Sequence, residues 1–200
     1  MWNTATKFIN SCIGENNMKK LDWKEFIRFW SRFYSDSQNR DNEFYNPYIG
    51  NEGLLRDNSL RNLWRWKMQG FFKYKKSQKA LKSMEEKKEI IVNFRKSKSN
   101  FDDMYNFSRE IFRSGIVYSI FLIHICKPEE YPIFDQHTFR SFNFITKKEF
   151  GSKPKDKEDY LKYKRFIFRV NKEYKIDLRD IDKALMAFGQ FLANPQKFLN

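Results

Sequence analysis

A helical repeat of apolar residues, in a chain with few helix breakers, restricts the fold more than any other feature of the sequence. Within the ranges 23–34, 60–68, 160–170 and 181–192, apolar residues recur every three or four positions. That spacing places them along one face of a helix. The 200 residues include only 7 Gly and 5 Pro, whereas Phe alone occurs 22 times. With no convincing strand alternation, the sequence predicts an all-α protein with long helices.

Several local signals predict where the helices begin and end. Asn100 is expected to start one helix and Asp177 to cap the last one, because short polar side chains accept the first free backbone N–H groups. Pro128 is expected to end the apolar helix that begins at Ile116. The polar range 35–53, with Asn-Pro and Gly, is predicted to form a long loop, and the basic range 73–99 one or two helices.

The charge of the chain indicates a class of partner. Lys and Arg number 39 against 25 Asp and Glu, a formal net charge of +14. Such an excess is typical of nucleic-acid binders, which neutralise phosphates. A protein that is basic without such a partner is the alternative. An anionic membrane surface is less favoured, because the cations are spread over many segments instead of one amphipathic helix.

Cysteine usage and hydropathy predict the compartment. Only Cys12 and Cys126 occur, which is too few for a structural zinc site, an iron–sulfur cluster or a disulfide framework. The first residues do not resemble a signal peptide, and the longest apolar run, 116–126, is too short to cross a bilayer. We therefore expect a soluble cytoplasmic protein that needs no metal and no cofactor.

The segment Tyr131–Arg140 combines an extended stretch with an acidic residue. Pro132 fixes its own φ and disfavours the helical conformation at Tyr131, so the chain is expected to run extended into Asp135. Asp135 then has the chemistry of a helix N-cap. A carboxylate held at a helix N-terminus serves as a structural cap or as a catalytic group, and these residues alone leave both roles open.

The order of elements from Phe107 to Arg140 carries a family resemblance. A helix is followed by a tight turn at Arg113-Ser114-Gly115, an apolar helix, an extended Pro-containing segment and Asp-x-His-x-x-Arg. This order resembles the helix-hairpin-helix DNA glycosylases. In that family the corresponding segment ends in a Val-Asp-Thr-His-Val-x-Arg-like motif, which residues 134–140 match. The resemblance covers about a sixth of the chain, and the hairpin departs from the family's Leu-Pro-Gly-Val-Gly.

The resemblance implies a fold of two helical lobes around a basic cleft. Residues 1–100 with 150–200 would form one lobe, and residues 101–149 would carry both the hairpin and the catalytic Asp. Asp135 would stabilise the positive charge that develops on the sugar, while Arg113, Ser114 and Gly115 would hold a DNA phosphate. The structural alternatives are that Asp135 only caps a helix and that Ser-Gly only turns an αα corner.

One departure from the family pattern is chemically informative. Bifunctional members carry a nucleophilic Lys two residues after the last hairpin Gly, and Val117 occupies that position here. No Schiff base can form on valine, so the resemblance implies a monofunctional enzyme that leaves an abasic site.

Three further residues have two interpretations each. His137 binds either a phosphate or the backbone, and Arg140 either a phosphate or an acid. His124 lies inside the apolar run, where a buried, hydrogen-bonded structural histidine is favoured over a functional one.

Trp64-Arg65-Trp66-Lys67 interleaves aromatic rings with cations, a pattern suited to stacking on bases or to filling the gap left by a flipped base. Residues two apart on a helix point in different directions, so one Trp is expected in the core and the other exposed to the cleft. A helix end with one buried Trp is the alternative. Lys67 is assigned to DNA binding, and Tyr118 and Gln136 join the two tryptophans as residues of the base pocket or wedge.

The leading hypothesis is a monomeric, monofunctional DNA N-glycosylase that acts on double-stranded DNA with a flipped base. Its target would be a damaged or modified base. Some compact, divergent members of the family that the chain resembles act in bacterial antiviral defence on hypermodified cytosines, such as glucosylated hydroxymethylcytosine in phage DNA. A non-catalytic nucleic-acid-binding module is the alternative. A metal-dependent nuclease is less favoured still, because the two His and the scattered acids lack ligand spacing.

Overall fold

A computed structural model describes residues 21–49, 52–97, 99–113, 115–147, 149 and 153–198. All regular secondary structure within these residues is helical, which confirms the predicted all-α class. The nine longer α-helices of this part of the chain are α1 (Trp23–Trp30), α2 (Ser59–Met68), α3 (Lys75–Glu86), α4 (Lys88–Lys96), α5 (Phe101–Ile111), α6 (Ile116–Cys126), α7 (Gln136–Lys147), α8 (Lys157–Tyr174) and α9 (Leu178–Ala193).

The chain divides into two compact units. The first unit contains residues 1–35 and 134–200, and the second contains residues 36–133. This division differs from the expected one, in which a single lobe carried both the hairpin and Asp135. Gly115 belongs to the second unit, whereas Asp135 belongs to the first. The reason is that α7, which follows Asp135 directly, packs most extensively against α9 near the C-terminus.

The first unit has a core rich in aromatic rings. Helix α9 packs against α7 and α1, and α8 contacts all three. The ring of Phe188 on α9 lies 4.9 Å from Trp30 and 5.3 Å from Phe26, between ring centroids. Edge-to-face and tilted pairs of this kind each contribute roughly 0.5–1.5 kcal/mol beyond the burial of area. The stripe predicted on α8 is fully buried: Tyr160, Tyr163, Ile167 and Val170.

The second unit is built around α6. This helix is apolar on all sides, and each residue from Ser119 to Cys126 is buried, as expected for a helix surrounded by others. Helices α5 and α4 pack against it, while α2 packs against α3 on one side and against residues 41–45 on another.

Several helices begin or end where local sequence signals predicted. The Asn100 side chain accepts a hydrogen bond from the backbone N–H of Asp103 at 3.0 Å, and the Asp177 carboxylate accepts one from Arg179 at 2.7 Å. Helix α6 ends at Cys126, two residues before Pro128. Each of these boundaries depends on neighbours within a few positions, which is why the sequence alone predicted them.

The prediction of a long loop over residues 35–53 is wrong. This range is helical through most of its length, in short pieces: a 3₁₀-helix (Ser31–Ser37), an α-helical turn (Gln38–Arg40), a π-helix (Asp41–Tyr45) and an α-helical turn (Asn46–Ile49). Burial outweighs the polar composition here. Tyr45 is buried, and so is Asp41, whose carboxylate accepts a hydrogen bond from the Trp66 indole.

Two kinds of feature are absent from the described residues. None of their helices combines the length and the apolar character that crossing a lipid bilayer requires. No three His, Cys, Asp or Glu side chains within this part of the chain come together as metal ligands.

Candidate active site

Asp135 joins the extended segment to α7 and caps that helix. Its Oδ1 accepts a hydrogen bond from the backbone N–H of His137 at 2.8 Å, and its own N–H donates to Thr138 Oγ1 at 3.0 Å. The Thr138 hydroxyl in turn donates to the Asp135 carbonyl at 3.0 Å. The predicted N-cap is therefore confirmed. These bonds fix the orientation of a carboxylate that is only partly buried.

His137 and Arg140 interact with each other. One guanidinium nitrogen of Arg140 lies 2.8 Å from His137 Nδ1 and 3.0 Å from the backbone oxygen of Gly189. Arginine carries no acceptor, so Nδ1 accepts and the proton of the neutral ring is on Nε2. The sequence had suggested a phosphate or an acid as the partner of Arg140. The structure adds two partners that it did not suggest, an imidazole and a helix carbonyl.

Gly189 is a residue of this region that sequence reasoning missed. A β-carbon built on it would lie 2.0 Å from the carbonyl oxygen of His137 and 2.6 Å from its carbonyl carbon. Only glycine permits this approach of α9 to the first turn of α7. A signal was available, because glycine inside a helix costs about 1 kcal/mol relative to alanine and calls for a packing reason.

A buried polar group lies in the core of the same unit. Tyr163 is fully buried, and burial raises the pKa of its hydroxyl well above the ordinary value. The negative charges of Asp182 and Asp135 raise it further, whereas the Thr138 side chain and the positive charge of Arg179 oppose the shift. Tyr163 is therefore protonated at neutral pH, in the neighbourhood of the Asp135 cap.

The charge of Asp182 in this group is compensated. Arg179 forms an ion pair with the Asp182 carboxylate and donates a hydrogen bond to the Tyr34 hydroxyl at 2.8 Å. Its guanidinium also lies 5.1 Å from the centroid of the Tyr34 ring. A buried carboxylate needs such a partner, because an unpaired charge in a core is strongly unfavourable.

The predicted hairpin joins α5 to α6 in the second unit. Gly115 has φ 97° and ψ 94°, a conformation that side-chain-bearing residues rarely adopt, which explains the glycine. Arg113 and Gly115 are exposed, and the Arg113 carbonyl accepts a hydrogen bond from Arg109 at 2.7 Å. Ser114 lies outside the described residues. Val117, which the resemblance aligns with a lysine, is half-buried.

Both tryptophans of the Trp-Arg-Trp-Lys cluster belong to the core. Trp64 is 1% exposed and its indole N–H donates to the carbonyl and hydroxyl oxygens of Ser77, each at 3.0 Å. Trp66 is 7% exposed and donates to Asp41 Oδ1 at 2.7 Å. The expectation that one of them is exposed is wrong. Helix α2 is covered on two sides, by α3 and by residues 41–45, so residues on different faces are both buried.

The remaining pocket candidates differ in exposure. The Tyr118 ring is 36% exposed and packs edge-to-face against Trp64, with 5.5 Å between centroids. Gln136 is exposed as the first residue of α7 in the first unit. Lys67 is half-buried, with its ammonium 5.7 Å from the centroid of the Phe121 ring. Their contacts with DNA stay predictions.

His124 is the structural histidine that the sequence predicted. Its Nδ1 lies 2.7 Å from the carbonyl oxygen of Tyr131, and its Nε2 lies 2.7 Å from the Tyr45 hydroxyl. A carbonyl only accepts, so Nδ1 carries the proton and Nε2 accepts from the tyrosine. The bond to Tyr131 holds the beginning of the extended segment that leads to Asp135.

A scan against protein-family models finds no match, and searches of the curated proteins and of the solved structures find none either. Function is therefore inferred from the chemistry of the chain itself.

Proposed function

We propose that this protein is a monofunctional DNA N-glycosylase that removes a base from double-stranded DNA and leaves an abasic site. The observation that carries the proposal is the Asp135 carboxylate, which is oriented by the His137 N–H at 2.8 Å yet is only partly buried. The all-α architecture is compatible with the helix-hairpin-helix fold and the basic DNA-binding cleft that this function implies.

The chemistry requires a carboxylate near the sugar. The base leaves with the electron pair of the bond between its nitrogen and C1′, so positive charge builds on the sugar ring. The negative charge of Asp135 stabilises that transition state. Water then adds to C1′, and the proton that it loses ends on the departed base. The target nucleotide must first be flipped out of the duplex, because C1′ is otherwise inaccessible to a side chain.

The exposed turn before α6 supplies the contact with the DNA backbone. No side chain among the described residues caps α6, and its N-terminus carries backbone N–H groups and a partial positive charge. Gly115 lets a phosphate approach without a β-carbon, and the exposed Arg113, with Ser114, adds further donors. His137, Arg140 and Lys67 remain candidates for phosphate contacts, although Arg140 also has a structural role.

The proposal also assigns residues to the flipped base and excludes cleavage of the DNA strand. Tyr118 of the second unit and Gln136 of the first are the two candidates for contact with the base whose side chains are exposed, and Trp64 packs against the Tyr118 ring from the core. Val117 cannot form an imine with the sugar, so strand cleavage is not part of the reaction.

An Asp135→Asn variant tests the catalytic role without losing the cap. Asn is as good an N-cap as Asp, and its Oδ1 accepts the same bond from His137. We expect Asp135→Asn to bind DNA like the wild type but to release the base at least about 100-fold more slowly. Asp177→Asn is the matched control, since Asp177 caps α9 in the same way, and it should leave the rate unchanged.

Substrate identity requires a panel of DNAs. Duplexes with alkylated, oxidised or mismatched bases, together with phage DNA containing glucosylated hydroxymethylcytosine, are incubated with the full chain. Released bases are identified by mass spectrometry, and abasic sites by alkaline cleavage. Release of one class of base distinguishes repair from antiviral defence. Release of none, under conditions where the protein binds the duplexes, would overturn the proposal.

The Asp135 geometry also favours a second candidate, a non-catalytic nucleic-acid-binding module. The carboxylate already has a complete structural role as the cap of α7. In that case the wild type and Asp135→Asn bind DNA equally and neither one releases base from any duplex.

A further inference from the structure

Phe71 and Tyr74 form an exposed aromatic pair in the second unit, just before α3. Their side chains are 63% and 61% exposed, the highest values among the large hydrophobic residues of the described chain. The ring centroids lie 5.6 Å apart with an interplanar angle of 47°. An isolated exposed ring is ordinary, but two adjacent rings make a small apolar surface that faces solvent.

The surroundings of this pair are strongly basic. Residues 58–84 contain no Asp or Glu. Four lysines close to the two rings in the sequence are exposed, and within the described part of the chain none of them forms an ion pair: Lys73, Lys75, Lys76 and Lys79. Cations at the N-terminal end of a helix are unfavourable, because the helix dipole is already positive there. An anionic partner would remove this repulsion.

The rest of the second unit holds this surface in place. The Trp64 indole donates to the carbonyl and hydroxyl oxygens of Ser77, each at 3.0 Å, which fixes the first turn of α3. Leu81 and Met84 of the same helix are buried, 1% and 0% exposed. The apolar face of α3 is therefore already packed, and lysines dominate the face that remains.

We propose that the surface formed by Phe71, Tyr74 and the four lysines, here called the Phe71–Lys79 surface, binds single-stranded DNA. The rings stack on two unpaired bases, and the ammonium groups neutralise the adjoining phosphates. This binding goes beyond the proposed base excision and involves none of the residues assigned to it. Single strands are required because internal bases of a duplex already have both faces covered by their neighbours.

Charge and packing argue against other occupants. A membrane-binding helix needs a continuous apolar face for the lipid, and the apolar face of α3 is buried in the protein. An acidic protein segment would satisfy the lysines, but it would not use the two exposed aromatic rings. The excess of cations ends towards the other end of α3, where Glu85 pairs with Arg61 and Glu86 with Lys82, so we place the strand at the N-terminal end of the helix.

Fluorescence anisotropy with a labelled oligothymidylate tests the proposal on the full chain. Replacing both rings, Phe71→Ala with Tyr74→Ala, is expected to weaken binding about 100-fold, since each stacked base contributes about tenfold or more. The salt dependence should stay the same, because no cation is lost. Replacing Lys75 and Lys76 with Gln should instead lower the slope of log K against log salt by about 1.4, or 0.7 for each phosphate contact.

Matched controls distinguish binding at this surface from nonspecific hydrophobic binding and from the effects of misfolding. Leu55→Ala with Ile90→Ala removes two other exposed apolar side chains, 52% and 47% exposed, and should not change affinity. The side chains removed in these two double variants, Phe71 with Tyr74 and Leu55 with Ile90, are all exposed, so the thermal midpoints of both variants should match that of the wild type. Asp135→Asn should bind the oligonucleotide normally, and the double ring variant should still excise base, so failure of one proposal does not imply failure of the other.

Three results would overturn the proposal. Tighter binding to an RNA of the same sequence, lost in the ring variant, would assign the surface to RNA. Binding to phosphatidylserine vesicles that depends on the rings, without ring-dependent binding to the oligonucleotide, would assign it to a membrane. Equal affinity of the ring variant and the wild type for the oligonucleotide would show that the lysines bind DNA without stacking.

Discussion

The backbone of Gly189 lies so close to the carbonyl of His137 that a β-carbon at position 189 would be 2.0 Å from its oxygen. Arg140 strengthens the same contact, because it donates to the Gly189 carbonyl at 3.0 Å and to His137 Nδ1 at 2.8 Å. Helix α9 therefore supports the first turn of α7 at the point where Asp135 is oriented.

A Gly189→Ala variant is expected to be destabilised. The new methyl group would meet rigid backbone and not the end of a flexible side chain, so α9 must move away from α7. Overpacking of this kind typically costs about 1–3 kcal/mol, and we expect the upper part of that range. Urea denaturation, followed by circular dichroism, measures the change in free energy of unfolding.

Gly70→Ala is the control for this prediction. A β-carbon on Gly70 would have no neighbour within 4 Å, so this substitution should change stability by less than about 0.5 kcal/mol. Equal stability of Gly189→Ala and Gly70→Ala would contradict the close packing of α9 against α7.

Arg113 and Arg140 are predicted to respond differently to replacement by Gln. Arg140 holds His137 and a helix carbonyl, so Arg140→Gln should lower the free energy of unfolding by roughly 1–3 kcal/mol. Arg113 is exposed, so Arg113→Gln should leave stability within about 0.5 kcal/mol. If Arg113 binds a phosphate as proposed, its loss should reduce the salt slope of duplex binding by about 0.9.

Titration of duplex binding with salt, combined with thermal denaturation, checks both parts. A reduced salt slope for Arg140→Gln without any loss of stability would mean that Arg140 contacts phosphate and that its bonds to His137 and Gly189 contribute little.

The protein is expected to lose stability at alkaline pH. Burial, followed by the charge of Asp182, raises the pKa of Tyr163 well above its ordinary value of 10.0. Burial likewise raises the pKa of the Cys126 thiol from 9.0 to about 12. Both groups stay protonated in the folded protein but ionise in the unfolded chain. Their contribution is therefore complete below about pH 9 and is lost progressively as the pH rises towards the folded values.

Measurement of the free energy of unfolding across this alkaline range provides the test. Tyr163→Phe should show a shallower loss above about pH 10, because phenylalanine does not ionise in the unfolded chain. Tyr74→Phe, which alters an exposed ring, should follow the wild type. An identical pH dependence for all three proteins would refute a role of the buried hydroxyl.

Features that depend on near neighbours in the chain could be predicted from the sequence. The caps at Asn100, Asp135 and Asp177 each accept an N–H from two or three residues ahead. The tight turn at Gly115 was also predicted, and the positive φ of Gly115 in the structure is one that glycine adopts readily. His124 was recognisable as structural because it lies inside an apolar run.

Features that depend on partners far along the chain could not be predicted from the sequence. Trp66 is buried because Asp41, 25 residues away, accepts its indole N–H, and the same contact helps to fold the polar range predicted as a loop. Helical periodicity describes one face of one helix, and it does not say that a second face is also covered.

The sequence by itself determined the all-α class, several helix boundaries and the cap that orients Asp135, because hydrogen bonds over a few residues and apolar spacing govern these. Only the tertiary structure decided that Arg140 is held by His137 and Gly189, that both tryptophans are buried and that Asp135 and Gly115 belong to different units. Those outcomes depend on which helix faces meet, and packing between distant segments, not local spacing, selects them.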